Sequence, residues 1–308
     1  MRLEGIHHIT AITGDAPRNV EFYAGTLGLR MVKKTVNQDD PTVYHLFYAD
    51  EKGSPGSDIT FFEYPGLSRG RAGAGMVYRI AWRVASTGAL DFWAARLAGH
   101  GVETPRGEDY LRFEDPEGLE LELRVNRTSE PPLRAHHPEV PVEHALLGFD
   151  GVRAFTSDPG ESAAFLRGGL GFDETSPGEW VGRGEQRGSY YVYDEAPAPR
   201  GLSGAGTVHH VAWASPVEEH LAWRERVAGA GPEVTPVIDR FYFKSIYFRE
   251  PSGVLFEIAT MGPGFTADEP VETLGEGLSL PPDFEHLRDR LEKVLTPLPN
   301  PRAESLKS

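Results

Sequence analysis

The chain alternates between two periodicities, and their order repeats. "GIHHITAIT" (Gly5 to Thr13) has the apolar-polar alternation of a strand. "GDAPRNVEFYAGTLG" follows, with Pro17 near its start and Val20, Tyr23, Ala24 and Leu27 at helical spacing. "LRMVKKTVN", "TVYHLFYA" and "DITFFEY" then read as three strands separated by polar or Gly/Pro turns. The opening segment recurs 143 residues later, where "LEGIHHITAIT" is matched by "LLGFDGVRAFT", Phe22 by Phe165 and Leu27-Gly28 by Leu170-Gly171. A second pair, "GMVYRIAW" (Gly75 to Trp82) and "GTVHHVAW" (Gly206 to Trp213), leads in each case to an amphipathic stretch and a closing hairpin, "YLRFEDPEGLELEL" or "SIYFREPSGVLFEI". This order predicts an α+β fold of four βαβββ modules at 1–66, 75–126, 146–197 and 205–262, building two cup-shaped mixed sheets. The first two modules form an N-terminal unit, 1–130, and the last two a C-terminal unit, 146–262. A linker at 131–145, with Pro131, Pro132, Pro138 and Pro141, divides them, and 263–308 reads as an extended strap with a helix at "PDFEHLRDRLEKVL".

Period-two geometry separates the side chains of each strand. In the first strand His8 shares a face with Ile6, Thr10 and Ile12, while His7 shares the other with Ile9 and Ala11. In the fourth module His210 faces opposite to Val211 and Trp213, and in the closing strand Glu257 faces opposite to Phe256 and Ile258. If modules one and four share a cup, two imidazoles and one carboxylate converge in it. That donor set leaves coordination positions open and suits Fe(II), with Mn(II) as an alternative, where O2 or an anionic oxygen must bind; Zn(II) accepts the same ligands. The repeat shows where such ligands are missing: His8 corresponds to Gly151, His210 to Arg79 and Glu257 to Glu122. One cup is expected to hold metal, and the other to be scaffold with Arg79 and Glu122 paired. His136-His137 lies in the linker outside any repeat and is expected to be solvated; His45 is as consistent with an ordinary strand residue as with a cup residue.

Composition narrows the chemistry. The 308 residues contain no cysteine, which removes disulfides, thiolate metal sites and thiol nucleophiles. A net charge of −15 argues against a nucleic-acid backbone as partner. No run approaches a membrane span and no basic region precedes an apolar run at the start, so neither membrane nor signal peptide is expected and a cytoplasmic location is. Edge strands leave a homo-oligomer open.

With these modules and ligands, the chain resembles the vicinal oxygen chelate superfamily, which includes glyoxalase I and the extradiol dioxygenases. Within it, "GIHHITAITGD", "NQDDPTVYHLFYADEKGSPGSDITFFEYPG", "VHHVAW", "DRFYFKSIYFREPSGVLFEIAT" and "PGFTADEPVETLGEGLSLPP" resemble the hydroquinone-specific ring-cleaving dioxygenases over essentially the whole chain. The resemblance implies Fe(II) on His8, His210 and Glu257, O2 as co-substrate and a small aromatic para-diol as substrate. It places Thr10, His209, Arg240, Tyr247 and His7 around the metal, with Tyr247 or His209 as base and Arg240 steadying negative charge. Strand parity turns His7 and His209 away from the cup, so each needs a bulge or a strand-end position to reach it. Phe61, Phe62, Phe241 and Phe243 are candidates for the pocket wall. Two other readings use the same scaffold: a Ni(II) or Zn(II) isomerase or lyase, for which Glu63 would be a poorly placed second carboxylate, and a non-enzymatic aromatic-ligand binder.

Overall fold

In the computed structural model, which describes residues 1–197 and 200–301, each expected module becomes a curled sheet segment closed by a helix. The first module comprises β1 (Ile6–Thr13), α1 (Ala16–Val20) continued by a π turn over Glu21–Thr26, β2 (Arg30–Asn37), β3 (Asp40–Ala49) and β4 (Asp58–Glu63). Asp15 caps α1 by accepting from the Arg18 amide, Pro17 occupies its first turn, and Gly28 leaves the helix at φ +69°. The corresponding Gly171 leaves the third module's helix at φ +72°, so the repeated Leu-Gly marks a left-handed exit that β-carbon-bearing residues disfavour.

The second module is β5 (Met76–Val84), α2 (Thr87–Gly99), β6 (Tyr110–Glu114) and β7 (Glu120–Val125). Its expected first strand after the helix shrinks to one bridge between Arg106 and Leu111, because Pro105 offers no amide and Gly107 no side chain to pack. The third contains β8 (Phe149–Thr156), a π turn over Phe165–Leu170, β9 (Asp173–Ser176), β10 (Glu179–Arg183) and β11 (Gly188–Glu195). The fourth contains β12 (Val208–Ser215), α3 (His220–Gly229), β13 (Ile238–Asp239), β14 (Lys244–Arg249) and β15 (Leu255–Thr260).

Strand order shows how the modules pair. An eight-stranded sheet runs β13-β14-β15-β12-β1-β4-β3-β2 and a seven-stranded sheet runs β6-β7-β5-β8-β11-β10-β9. Modules one and four therefore share one sheet through the antiparallel β1–β12 pair, and modules two and three share the other through β5–β8. Ile9, Val211, Trp213, Phe256 and Ile258 enter the main apolar core, which also takes Trp93 of α2 and Trp223 of α3. A second apolar cluster lines the concave side of the larger sheet: Val32, Phe47, Ala49, Ala212, Phe243 and Ala259, covered by Phe265 and Leu274 of the strap. The strap then runs to a 3-10 turn at Pro282–Leu287 and α4 (Arg288–Val294), while 302–308 lie outside the described residues. Among the described residues, no helix is long and apolar enough to cross a membrane.

One buried carboxyl ties the first two modules together and makes stability pH-dependent. Asp115, in the β6–β7 turn, accepts the Glu117 and Leu119 amides through Oδ1 and the Tyr23 hydroxyl through Oδ2. Burial pushes its carboxyl up to about 6, against the opposing pull of those donors. A raised folded-state value means a stabilising contribution fully present below the unfolded value of 3.8 and lost as pH rises through about 6. Asp115→Asn, which keeps an amide oxygen for the turn, should flatten this slope and gain on the wild type above pH 6 by on the order of 1–3 kcal/mol. Urea unfolding of both proteins at pH 4.5 and 7.5 checks it; a stability difference that does not change with pH refutes the assignment.

Candidate metal centre

Three short strands of the larger sheet bring the donors together. β1 presents His8, β12 presents His210, and β15 presents Glu257, which lies beside Ala212 in the parallel β12–β15 register. His8 Nε2 lies 3.3 Å from His210 Nε2 and 3.3 Å from Glu257 Oε2, and His210 Nε2 lies 2.9 Å from Glu257 Oε2. All three side chains are buried, and among the described residues no other cluster of three such side chains has converging donor atoms.

Whether this set fits an ion can be tested on its own geometry. Two donors ~2.1 Å from one cation and ~90–110° apart lie ~3.0–3.4 Å from each other; the two 3.3 Å sides of the observed triangle fall in that range and the 2.9 Å side just below it. Glu257 Oε1 accepts from the Ser245 hydroxyl at 2.5 Å, whereas Oε2 accepts no well-directed hydrogen bond although two imidazole nitrogens are beside it. A fully buried carboxylate oxygen facing lone pairs is the environment a cation relieves. Burial alone would raise Glu257, but His8 and His210 outweigh it and hold the carboxyl well below its usual range. Burial lowers His210 against the pull of Glu257. An ionised carboxylate beside a neutral imidazole is the protonation state a metal needs.

His7 and His209 reach the cup by the device that strand parity lacks. Along β1–β12, Ile6 pairs with Trp213 and His8 with Ala212, so β1 carries an extra residue at His7. Thr10 pairs with His210 and Ala11 with Val208, so β12 carries an extra residue at His209. These two bulges correct the expectation that alternation keeps both histidines on the helix side. Each bulged ring meets its neighbour edge to edge: His7 Nδ1 is 3.0 Å from His8 Nδ1, and His209 Nδ1 is 2.8 Å from His210 Nδ1. A metal on the Nε2 atoms of His8 and His210 requires Nδ1–H on both, so His7 and His209 accept at Nδ1 and carry their protons on Nε2. His7 Nε2 then donates to the Thr260 carbonyl at 3.2 Å, which fixes the tautomers of His7 and His8 in series. Burial, then His8, brings His7 down to about 3, and burial, then His210, brings His209 to about 4, so both stay neutral acceptors. His209 is open to the cup, whereas His7 is enclosed.

The remaining expected residues surround this centre. Thr10 Oγ1 is 3.0 Å from His210 Nε2. The Tyr247 ring stands edge-on to His210 at 5.7 Å, and its hydroxyl accepts from Arg240 Nε at 3.3 Å. Arg240 is held by Asp39, which takes both terminal nitrogens at 3.1 and 3.0 Å, and by Gln38, which donates to its carbonyl. Phe241 sits at φ +70°, unusual for a side chain of that size, and this turn directs Arg240 and Phe243 into the site. Phe243 packs on His8 at 5.1 Å, and Phe62 lies between His45 and His209 at 4.4 and 5.6 Å. Phe61 belongs instead to the main core. Sequence reasoning left out Asp39 and Gln38, whose link to Arg240 spans about 200 residues and has no local signature.

The second sheet shows what removal of the ligands involves. It keeps bulges at the matching places, Tyr78 and Asp150, so the bulges belong to the fold and the histidines exploit them. A β-carbon on Gly151 would come within 2.4 Å of the Tyr190 carbonyl oxygen, leaving no room for a ligand at the position matching His8. Arg79 pairs with Glu122 at 3.4 Å, as the repeat implied, and with Glu120 at 2.7 Å, while Arg112 takes Glu122 at 2.7 Å. The carboxylate is saturated by guanidinium.

Known proteins agree with this architecture. A family model described as the Glyoxalase/Bleomycin resistance protein/Dioxygenase superfamily matches residues 5–123 and 148–258. The protein MhqO of Bacillus subtilis (strain 168), whose name assigns it provisionally to the ring-cleaving dioxygenases, is 43% identical over 301 residues, covering 95% of this chain and 96% of its own. The chlorohydroquinone/hydroquinone 1,2-dioxygenase of Sphingobium indicum is 34% identical over 312 residues, covering 96% of each chain. A crystal structure of a Bacillus subtilis protein assigned provisionally as a dioxygenase superposes with a TM-score of 0.91 at 41% identity, over 97% of this chain and 98% of that one. Maize glyoxalase I, at 16% identity and a TM-score of 0.58 over 85% of this chain and 93% of its own, shares the fold. Two family matches separated by the linker, on a scaffold of paired modules with one intact donor set, place this chain in the Glyoxalase/Bleomycin resistance protein/Dioxygenase superfamily.

Proposed function

We propose that the protein is an Fe(II)-dependent, extradiol-type ring-cleaving dioxygenase that opens a hydroquinone ring with O2. The observation that carries this reading is the convergence of His8, His210 and Glu257 in an open cup beside Arg240 and Tyr247, in a chain similar over its length to a hydroquinone 1,2-dioxygenase. Fe(II) on those three donors, or Mn(II) in its place, would supply the one-electron chemistry that lets a singlet ring react with O2. The chain's own residues handle charge and protons. Arg240, whose guanidinium is held charged, steadies negative charge on a substrate oxygen. Burial and the nearby Glu257 push the Tyr247 phenol up, so it keeps its proton at neutral pH and donates rather than acting as base. His209, neutral with its proton on Nε2 and open to the cup, can donate a hydrogen bond to a substrate oxygen. Phe62 and Phe243 give the ring apolar walls.

The isomerase reading lacks a second carboxylate converging on the three donors among the described residues. Glu63 is turned to the far side of β4, where it takes the Ala16 amide and the Thr296 hydroxyl. The deciding experiment is anaerobic reconstitution with Fe(II) or Mn(II), followed by O2-electrode and ultraviolet recording with hydroquinone, methylhydroquinone and catechol. Metal-dependent, one-to-one O2 uptake with the para-diols supports the proposal; metal-loaded protein that consumes no O2 with any diol overturns it. Tyr247→Phe should keep full iron content while turnover falls by ~10–100-fold, the loss of one oriented donor. Iron loss in that variant would contradict the division between ligands and donors.

A further inference from the structure

The roles above leave one set of polar contacts on the concave face unexplained. His45 Nε2 lies 2.8 Å from Thr60 Oγ1, Thr60 Oγ1 lies 2.8 Å from Thr10 Oγ1, and Thr10 Oγ1 lies 3.0 Å from His210 Nε2. Three strands build this line. Thr10 and Thr60 face each other in the parallel β1–β4 register, and His45 on β3 is diagonal to Thr60, whose direct partner is Phe47. Both threonines are fully buried, while His45 is partly exposed and held between Phe47 and Phe62, with ring centroids 4.0 and 4.4 Å away. The line therefore starts at the metal position and ends on an imidazole that reaches the cup wall.

Metal binding changes what Thr10 can do. Once the lone pair of His210 Nε2 is committed to an ion, it no longer accepts from Thr10, and that hydroxyl is left with Thr60 on one side and whatever occupies the metal position on the other. We propose that Thr10, Thr60 and His45 form a proton relay that removes the proton from the substrate hydroxyl held at the metal position. This rests on the ring-cleavage reading and gives the metal-bound hydroxyl a proton acceptor, which Tyr247 and His209, both carrying their protons, do not supply.

The transfer balances without any oxidant. The substrate O–H bond breaks and its proton joins Thr10 Oγ1; the proton of Thr10 passes to Thr60 Oγ1, and that of Thr60 to His45 Nε2. One O–H bond is exchanged for one N–H bond, both threonines end as hydroxyls, and reversal returns the proton to the product. His45 must begin with Nε2 bare and Nδ1 protonated. Burial, with His8 of β1, His210 of β12 and Arg240 of the β13–β14 turn facing it, holds His45 well below its usual value against the opposing Glu257 of β15, so it does not trap the proton.

The test uses the Fe(II)-loaded protein under argon, where hydroquinone binds without turning over. The ultraviolet band of the ionised ring and proton release into weak buffer report deprotonation directly. Thr60→Val should retain iron, bind hydroquinone within ~3-fold and ionise it over the wild-type pH range, but ionise it ~10–100-fold more slowly after mixing and, on admission of O2, turn over ~10–100-fold more slowly, at or below the lower end of general acid–base effects. Thr60→Ser should restore both. His45→Ala should repeat the defect and recover with added imidazole. The relay is overturned if Thr60→Val ionises hydroquinone as fast as the wild type, if Thr60→Ser is no better than Thr60→Val, or if imidazole fails to rescue a folded, iron-loaded His45→Ala. Should His45→Ala not fold, the Thr60 pair decides. A wild type that takes up no O2 sinks the ring-cleavage reading and the relay with it; an active wild type with unaltered variants sinks the relay alone.

Discussion

Glu257→Gln is expected to lower bound metal from about one ion per chain to less than a tenth, and turnover by more than ~1,000-fold, while leaving the fold intact. The side chain is fully buried, and the substitution keeps its volume and an oxygen for the Ser245 hydroxyl. It removes the one anionic ligand and places an amide beside two imidazole nitrogens 2.9 and 3.3 Å away. Without metal, His8 and His210 hold the Glu257 carboxyl well below its usual range, so its ionised form contributes stability and the metal-free variant should unfold at a lower urea concentration at neutral pH. Added Fe(II) or Mn(II) under argon should widen that difference. Binding to the folded state alone stabilises the wild type by ~2.7 kcal/mol at 100 times the dissociation constant, and should leave the variant unmoved. Metal analysis after gel filtration and melting curves with and without metal measure both effects. A variant that keeps stoichiometric metal would show that Glu257 is not a ligand.

The three ligands were legible because alternate side chains share a face from His8 to Ile12, from His210 onward and along β15, although a bulge lies next to each histidine. His8, His210 and Glu257 needed that rule, the repeat, and the condition that modules one and four share a cup, which the β1–β12 pairing meets. The same repeat exposed the second cup, where Arg79 and Glu122 do pair. His7 and His209 were misplaced for a physical reason. A bulge is a property of two strands in register, and neither β1 nor β12 reveals by itself which residue its partner will skip. The available signal was the repeated His-His pair, since two adjacent imidazoles at matched places can serve one site only if the backbone turns one of them. The Asp39–Arg240 pair was illegible because its residues are about 200 positions apart and each alone reads as an exposed turn charge. His45 was ambiguous on its own strand; Thr60, from the neighbouring strand, and the register to Thr10 give it a direction. The reduced strand in the second module had a local signal in Pro105 and Gly107.

Lys33 is the least legible of the determinants, and its replacement by methionine carries the second large effect. In "LRMVKKTVN" it reads as an ordinary polar strand residue, yet it is fully buried. Its ammonium donates to Asp268 Oδ1 at 2.7 Å, to Glu269 and to the Phe265 carbonyl at 3.2 Å, and lies 4.8 Å from the centre of the Tyr242 ring. Asp268 in turn accepts from the Tyr242 hydroxyl at 2.9 Å and from Ser279 at 2.6 Å. The strap is thus tied through one cation to β2 and to the turn that carries Arg240 and Phe243. Lys33→Met fills the volume but leaves Asp268 and Glu269 facing each other without the cation they share, while Lys34 still acts on Glu269. Breaking a buried pair by removing one partner costs about 3–5 kcal/mol. Both carboxylates keep a path to water, which brings the expected loss to about 2–4 kcal/mol and the melting temperature down by ~5–10 °C. Proteolysis within 263–280 should accelerate, and turnover should fall more than metal content, because the ligands stay while the Tyr242 support for the Arg240 turn goes. Asp268→Asn in the Lys33→Met background should recover part of the loss, giving a coupling energy that the single variants do not show. A Lys33→Met protein within ~1 kcal/mol of wild type, with the strap equally resistant to protease, would mean that apolar burial of Phe265 and Leu274 holds the strap by itself.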